Sequence, residues 1–291
     1  MDDYLVRATA FAGKIRLFAA TTTQVVEEMR NRHDLFPTAA AAVGRTATAA
    51  VMMGAMLKGE EKVTVQVKGN GPLGQIVMDA NARGEVRGYA DHPQTHLPSN
   101  ASGKLDVAGA VGREGFIYVT KDLGMKEPYR GSIPIISGEL AEDFTYYFAK
   151  SEQTPSAVSL GVLVNQDYTI RNAGGFIIQV MPEVDDEVIF TLEHKLASVL
   201  PVTTLLEQGL SPEDLLKEVI GDFANAETMP LSFRCFCSHE RVERTLLSLG
   251  RQELSQMVEQ DEFAQIVCHF CNEKYEFDRE ALKSLMDQTG L

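Results

Sequence analysis

The chain has 291 residues, 44% of them hydrophobic, with 27 lysines and arginines against 41 aspartates and glutamates and a formal net charge of −14. This composition suits a folded globular chain of about two domains, and the charge argues against nucleic acid, whose backbone is bound mainly by lysine and arginine. No apolar run reaches the roughly eighteen to twenty residues of a membrane span, Thr38 to Leu57 being interrupted by Arg45, and Met1-Asp2-Asp3-Tyr4 is acidic where a signal peptide starts basic, so a cytoplasmic setting with no membrane partner is expected.

Lys14 to Ala19 reads as a strand, and Thr22 or Thr23 as the cap of a helix with Val25, Val26 and Met29 on one face. A second helix is expected from about Thr38 to Lys58, ending at Gly59. Its alanines admit close neighbours, which places it and its methionines in the core. Lys62 to Lys68 alternates with period two and predicts a strand. Gly69-Asn-Gly71-Pro-Leu-Gly74 has the glycine spacing of a dinucleotide loop, but that loop needs a helix directly behind it. Gln75 to Asp79 reads as a strand instead, so the glycines form a hairpin turn.

Further strands are expected at Glu85 to Tyr89, Gly115 to Thr120 and Ile133 to Ile136. His92 and His96 have a spacing that suits a metal on a helix, yet Pro93 and Pro98 oppose a helix, and both histidines read as solvated members of a loop running to Leu105. A helix starting near Ser137 carries Tyr146, Tyr147 and Phe148 against a sheet. Val158 to Val164 and Phe176 to Met181 are near-continuous apolar strands, buried on both faces, with Gly174 and Gly175 as the turn between them. Without a βαβ rhythm, residues 1–180 are expected to form an α+β core domain.

The composition changes at Pro182, and residues 181–230 are expected to be a helical linker. Glu183 to Val199 has acid in its first turn and Val184, Val188, Leu192, Leu196 and Val199 on one face. Ser211-Pro-Glu-Asp214 combines a capping residue, a proline at the first helical position and following acid, and Leu215, Leu216, Val219, Ile220 and Phe223 line the helix behind it. Neither stripe can be buried alone. Such faces are sticky whenever they are released.

All four cysteines lie in residues 231–291, as Cys235-Phe-Cys237 and Cys268-His-Phe-Cys271, with thirty residues between the pairs. Four thiolates suit one tetrahedral Zn²⁺ and make this tail a small four-cysteine zinc-binding domain. His239 and His269 are rival ligands, though four sulfurs already close the site. Glu240 to Met257 reads as one amphipathic helix that returns the ends of the insert, and Asn272 to Phe277 as a strand turning back from a zinc knuckle. From Leu231 onward seven basic residues face eleven acidic ones, unlike the basic face of a nucleic-acid-reading finger. Cysteine used only in this cluster fits a reducing compartment.

Cys-x-Cys is a tight spacing. An extended chain separates such residues by about 7 Å, beyond the roughly 4.4 to 6.8 Å between Cα atoms of a disulfide, so a bond there would be pinched and readily reduced. Cys-x-x-Cys is shared by redox dithiols and zinc knuckles. Two states are thus open to the cluster: four thiolates on zinc, or local disulfides without metal.

The cysteine pairs with their thirty-residue insert, Gly138 to Gln153, Gly174 to Pro182 and Ser211 to Leu216 together resemble the bacterial thirty-three-kilodalton heat-shock protein family of redox-regulated holdase chaperones. The resemblance covers nearly the whole chain and implies a cytoplasmic, ATP-independent chaperone, inactive when reduced and bound to one Zn²⁺ through Cys235, Cys237, Cys268 and Cys271. It further implies that oxidation pairs Cys235 with Cys237 and Cys268 with Cys271, releases zinc, and unfolds switch and linker into a homodimer that holds unfolding or oxidatively damaged proteins. The linker faces, with Leu192, Leu196, Leu215 and Val219 as examples, are the expected client-binding surface. Two alternatives stand beside this one: a zinc ribbon with permanent metal, and a thiol–disulfide oxidoreductase using Cys268 and Cys271. The second lacks a thioredoxin-like context, and no nucleophile elbow, P-loop or zinc-protease helix supports an enzyme.

Overall fold

The computed structural model of the chain describes residues 2–182, 184–260 and 263–288. Strands β1 (Tyr4–Ala10) and β2 (Ile15–Thr21) pair antiparallel and lead into α1 (Thr23–His33). Thr22 stands at the N-cap of α1, but its hydroxyl is bonded to that of Thr48 at 2.7 Å. The capping acceptor comes from elsewhere: Asp3 Oδ2 takes the Val25 N–H at 2.8 Å. Desolvation pushes the Asp3 carboxyl above its ordinary range, against the N–H groups of Val25, Gln24 and Thr23.

Helix α2 (Pro37–Gly54) starts on a proline, which lacks an N–H the first turn leaves free anyway, and nearly all its residues are buried. β3 (Lys62–Gly69), β4 (Gln75–Asn81) and β5 (Glu85–Ala90) follow as a meander whose first loop is the glycine-rich stretch, here a hairpin connection as its sequence indicated. His92 and His96 are exposed and outside any helix, and His96 Nδ1 lies 2.9 Å from Thr38 Oγ1. Then come α3 (Val107–Val111), β6 (Gly115–Asp122), β7 (Tyr129–Pro134) and α4 (Ala141–Lys150).

The start of α4 differs from its sequence expectation by four residues. The buried Asp143 carboxylate collects the N–H groups of Ile136, Ser137, Gly138 and Leu140, so residues 136–140 wrap around it as a loop instead of entering the helix. β8 (Ser156–Val164) and β9 (Ile170–Val180) form a hairpin turning at residues 165–169. Gly174 and Gly175 are therefore not the turn. They lie within β9, where an added Cβ would stand 2.4 Å from the Ala20 and Ser159 carbonyl oxygens respectively. Close strand approach, not reversal, requires glycine there.

Helices α5 (Asp186–Ser198), α6 (Val202–Glu207) and α7 (Pro212–Ile220) are followed by β10 (Ala224–Pro230) and the short β11 (Ser232–Phe233). α5 begins three residues later than read, and Glu183 lies outside the described residues. α7 carries the expected cap: Ser211 Oγ accepts from the Asp214 N–H, and the Asp214 carboxylate accepts back from the Ser211 N–H. The remaining elements are α8 (His239–Leu249), α9 (Arg251–Gln260), β12 (Phe263–Val267), β13 (Lys274–Asp278) and α10 (Arg279–Gln288). Glu240 to Met257 is thus two helices, broken at Gly250, whose φ of 86° a non-glycine residue rarely adopts.

The chain divides into two compact units, Met1–Arg234 and Cys235–Leu291. In the first, one sheet has the order β10-β1-β2-β9-β8 and the other β11-β5-β4-β3-β6-β7. A single core joins α2 to one face of each: Leu5, Phe18, Leu160 and Ile177 from the first, Val63, Val65, Val67 and Ile117 from the second. The opposite face of the first sheet, including Val6, Ile15, Leu17 and Ile178, makes a separate core with Leu192, Leu205, Leu215, Leu216 and Val219 of α5 to α7. That sheet is buried on both faces, hence its near-continuous apolar strands.

Gly161 of β8 permits this docking. A Cβ there would meet Thr203 Cγ2 at 2.5 Å and Val202 Cγ1 at 2.7 Å, both on stiff β-branched side chains at the start of α6. Gly161→Val is therefore expected to lift α6 from β8 at a cost of about 1–3 kcal/mol. Limited proteolysis should then cut residues 181–230 earlier than in the parent chain, and an unchanged cleavage order would contradict this account.

Candidate metal centre

Each cysteine is delivered by a specific local structure. Before the first pair, the Arg234 N–H bonds the Val86 carbonyl at 2.9 Å and its guanidinium bonds Glu85 at 2.6 Å, anchoring the chain to the edge of β5. Beyond it, Ser238 Oγ accepts from the Arg241 N–H and starts α8, while the Arg241 guanidinium donates to the Phe236 carbonyl at 2.8 Å between the two thiols. The second pair occupies the turn of the β12–β13 hairpin. The Cys271 and Asn272 N–H groups both point to the Cys268 carbonyl, at 3.3 and 2.7 Å, and the Cys268 N–H returns to the Glu273 carbonyl at 2.9 Å. Asn272 has a φ of 59°, a left-handed conformation that asparagine tolerates.

These turns bring the four Sγ atoms within 4.8 Å of one another. Cys235 lies 3.7 Å from Cys268 and Cys237 3.3 Å from Cys271. A tetrahedral ion bonded to four sulfurs at about 2.3 Å would separate them by about 3.8 Å, whereas a disulfide needs about 2.05 Å. The spacing fits a cage around a cation, and none of the four cysteines is in a disulfide. Both of these contacts run between the two sequence pairs, so the cage is closed across the thirty-residue insert.

The donor chemistry agrees. Desolvation pushes the Cys268 and Cys271 thiols above their ordinary range, outweighing the N–H groups of Phe270 and Glu273 that favour the thiolates. A bound cation supplies the opposing charge such thiols need in order to ionise together. Tyr275 is hydrogen-bonded to Cys237, and that bond, with burial and the neighbouring sulfurs, raises its own hydroxyl. This partner on β13 was not recognised in the sequence; its one signal is its place four residues beyond Cys271.

Neither histidine joins the group. His239 Nδ1 faces Glu243 at 3.2 Å and its ring lies 4.6 Å from that of Phe277, while His269 is exposed. Of the residues expected to hold clients, Leu192, Leu215 and Val219 are buried against the first sheet and Leu196 is half-buried beside them. They are covered in this state.

The unit around the cage has a small core of its own, formed by Leu246, Leu254, Ala264, Phe277, Leu282 and Leu285 with partly buried neighbours. Cys271→Ala should lower metal binding to well under one ion per chain and collapse the dispersed amide spectrum of residues 235–291. The signals of Met1–Arg234 should persist. A metal-free variant with a fully dispersed tail would contradict the dependence of this unit on its sulfur cage.

The sequence matches the family described as Hsp33 protein over residues 3–278. It is 56% identical over 287 residues to the 33 kDa chaperonins of Staphylococcus aureus strains JH9 and Newman, covering 98% of this chain and 98% of theirs. The crystal structure of the 33 kDa chaperonin (heat shock protein 33 homolog) from Thermotoga maritima superposes with a TM-score of 0.94 at 36% identity, covering 99% of both chains. Among the described residues no helix is long and apolar enough to cross a membrane.

Proposed function

This chain belongs to the Hsp33 family, a family of chaperones and not of enzymes, and from that premise we propose that it is a redox-regulated, ATP-independent holdase of the cytoplasm. In the reduced state Cys235, Cys237, Cys268 and Cys271 would hold one Zn²⁺. Bound there, the ion would contribute on the order of 10–16 kcal/mol of apparent folding free energy to a unit with little core.

Oxidation acts on the sulfurs. With hydrogen peroxide, two thiolates and two protons yield one disulfide and two waters, the sulfur pair losing two electrons as peroxide gains them. The pairs are Cys235 with Cys237 and Cys268 with Cys271, and the four sulfurs then no longer serve as thiolate ligands. Residues 231–291 act as the switch, 181–230 as the linker and 1–180 as the stable core. Once the switch unfolds, the linker loosens and the face holding Leu192, Leu196, Leu215 and Val219 opens, together with the sheet it covers. Unfolding or oxidatively damaged proteins bind that apolar surface, and the active form is a homodimer.

The observation that carries this reading is the convergence of four cysteine sulfurs, none in a disulfide, within 4.8 Å. The two-sided burial of the first sheet supports it, since one apolar face lies under the short helices α5 to α7. One sample should be followed through peroxide treatment for metal content, free thiols and suppression of aggregation of a heat-denatured client. The expected outcome is release of one zinc and loss of four thiols together with a gain in holding. Release without any such gain would refute the proposed holdase.

A further inference from the structure

The stretch from Ala224 to Arg234 is the only covalent path from the cysteine unit to helices α5 to α7, and the proposed mechanism gives it no role of its own. It is built into both sheets. β10 pairs antiparallel with β1, setting Pro230 opposite Tyr4 and Glu227 opposite Arg7. β11 crosses to the other sheet and runs parallel to β5, setting Ser232 opposite Glu85 and Phe233 opposite Val86. At the crossing, the Leu231 N–H donates to the Asp3 carbonyl at 3.0 Å and the Ser232 N–H to the Gly84 carbonyl at 3.1 Å. Gly84 has a φ of 78°, and an added Cβ there would stand 2.4 Å from the Pro230 carbonyl oxygen, so only glycine lets the strap pass this close.

The grip on this strap is uneven. β10 is an edge strand with nearly every side chain exposed, tied beyond its backbone ladder by surface bonds from Arg7 to Glu227 and from Asn225 to Thr9. Such exposed pairs stabilise little. The other end is held by burial. Leu231 belongs to the core around α2, and Phe233 packs against it with the Arg32 guanidinium 5.0 Å above its ring. Arg234 donates to Glu85, whose side chain is only 10% exposed and also accepts from Asn81 at 2.7 Å. Burial opposes charge on Glu85, yet the Asn81 and Arg234 bonds hold its carboxyl below the ordinary range. The strap is therefore clasped most firmly beside Cys235.

We propose that residues 224–234 form a gate between switch and linker, clasped by Arg234 on Glu85: the strap stays on the core when the cysteine unit unfolds, and while seated it keeps α5 to α7 docked. The order of opening rests on the proposed unfolding of that unit, whereas the hold on the helices does not. Its physical reason is chain entropy. With the strap seated, helices that leave the first sheet form a loop pinned at β9 and β10. With the strap released they form a free tail, which has many more conformations to gain. The strap thus disfavours departure of the helices although its side chains pack on the α2 core and not on theirs. The segment that unfolds first then starts at Cys235, where the chain divides into its two units, and not at Leu231.

Hydrogen exchange of the full chain, reduced and metal-loaded, tests the hold without oxidant. Arg234→Ala, made at a side chain that is 61% exposed, is expected to speed exchange in residues 224–234 and in α5 to α7 at least about fivefold, while β3 and β4 keep the parent rates. Arg234→Lys retains a cation for Glu85 and should restore most of the protection. Faster exchange confined to residues 224–234, or shared equally by β3 and β4, would overturn the gate. Peroxide is then added to the parent chain. Loss of protection in residues 235–291 ahead of 224–234, with α5 to α7 opening no earlier than the strap, is the expected order. Strap and cysteine unit opening together, or helices opening before the strap, overturns it. No client enters either arm, so a protein that shows this order yet holds no client counts against the proposed holdase alone.

Discussion

Four sulfur atoms drawn within 4.8 Å of one another form the constraint around which residues 235–291 are organised. The unit that carries them has only a handful of fully buried side chains, gathered on Leu246, Leu254, Phe277, Leu282 and Leu285, and a core of that size stabilises a chain weakly. The cage ties the stretch following β11 to the β12–β13 turn across a thirty-residue insert. With the proposed ion bound, a cross-link between segments that distant would restrict the unfolded chain strongly, and it would be made of thiols, among the most oxidisable groups in a protein. In the proposed mechanism, stability and chemical vulnerability therefore reside in the same four atoms.

The first unit has a complementary property. Its sheet of β10, β1, β2, β9 and β8 is apolar on both faces. One face is covered by α2 and the second sheet, the other by α5 to α7. Covering an apolar sheet with short helices stabilises the closed form, and under the proposed mechanism the same contacts become exposed, sticky area once the helices leave. Small features set how firmly the helices sit: the Ser211–Asp214 capping box, the absent side chain at Gly161, and Tyr4, whose hydroxyl donates to Glu213 of α7 at 2.7 Å. Burial and that acceptor push the Tyr4 hydroxyl up to about 12, so it remains a donor throughout the physiological range.

Much of this was legible along the chain because local rules governed it. Period-two alternation exposed β3, the Ser-Pro-Glu-Asp run exposed α7, and the paired cysteine spacings exposed the four thiols that cluster. The misreadings share one cause. Gly174 and Gly175 look like a turn, but neighbouring strands press on them from both sides. Ser137 looks like a helix start, yet the Asp143 carboxylate gathers the preceding N–H groups into a loop. Thr22 looks like a cap, but its hydroxyl is engaged by Thr48 and the capping oxygen belongs to Asp3. In each case a partner remote in sequence, or a local rival of equal chemical merit, decided the outcome.

By itself, the order of residues determined which groups carry the chemistry: thiols in pairs, apolar stripes on the linker helices, no basic face and no catalytic constellation. Tertiary structure alone decided that the sulfurs close a cage across the insert while both nearby histidines stay out. It also decided that the linker stripes lie against the first sheet, and that Arg45 of the buried α2 pairs with Glu139 of the loop before α4. The reason is physical. Residue type and spacing set what a side chain can do and which way it points on its own element, whereas distance, desolvation and exclusion depend on elements far away along the chain, meeting only once the backbone has folded.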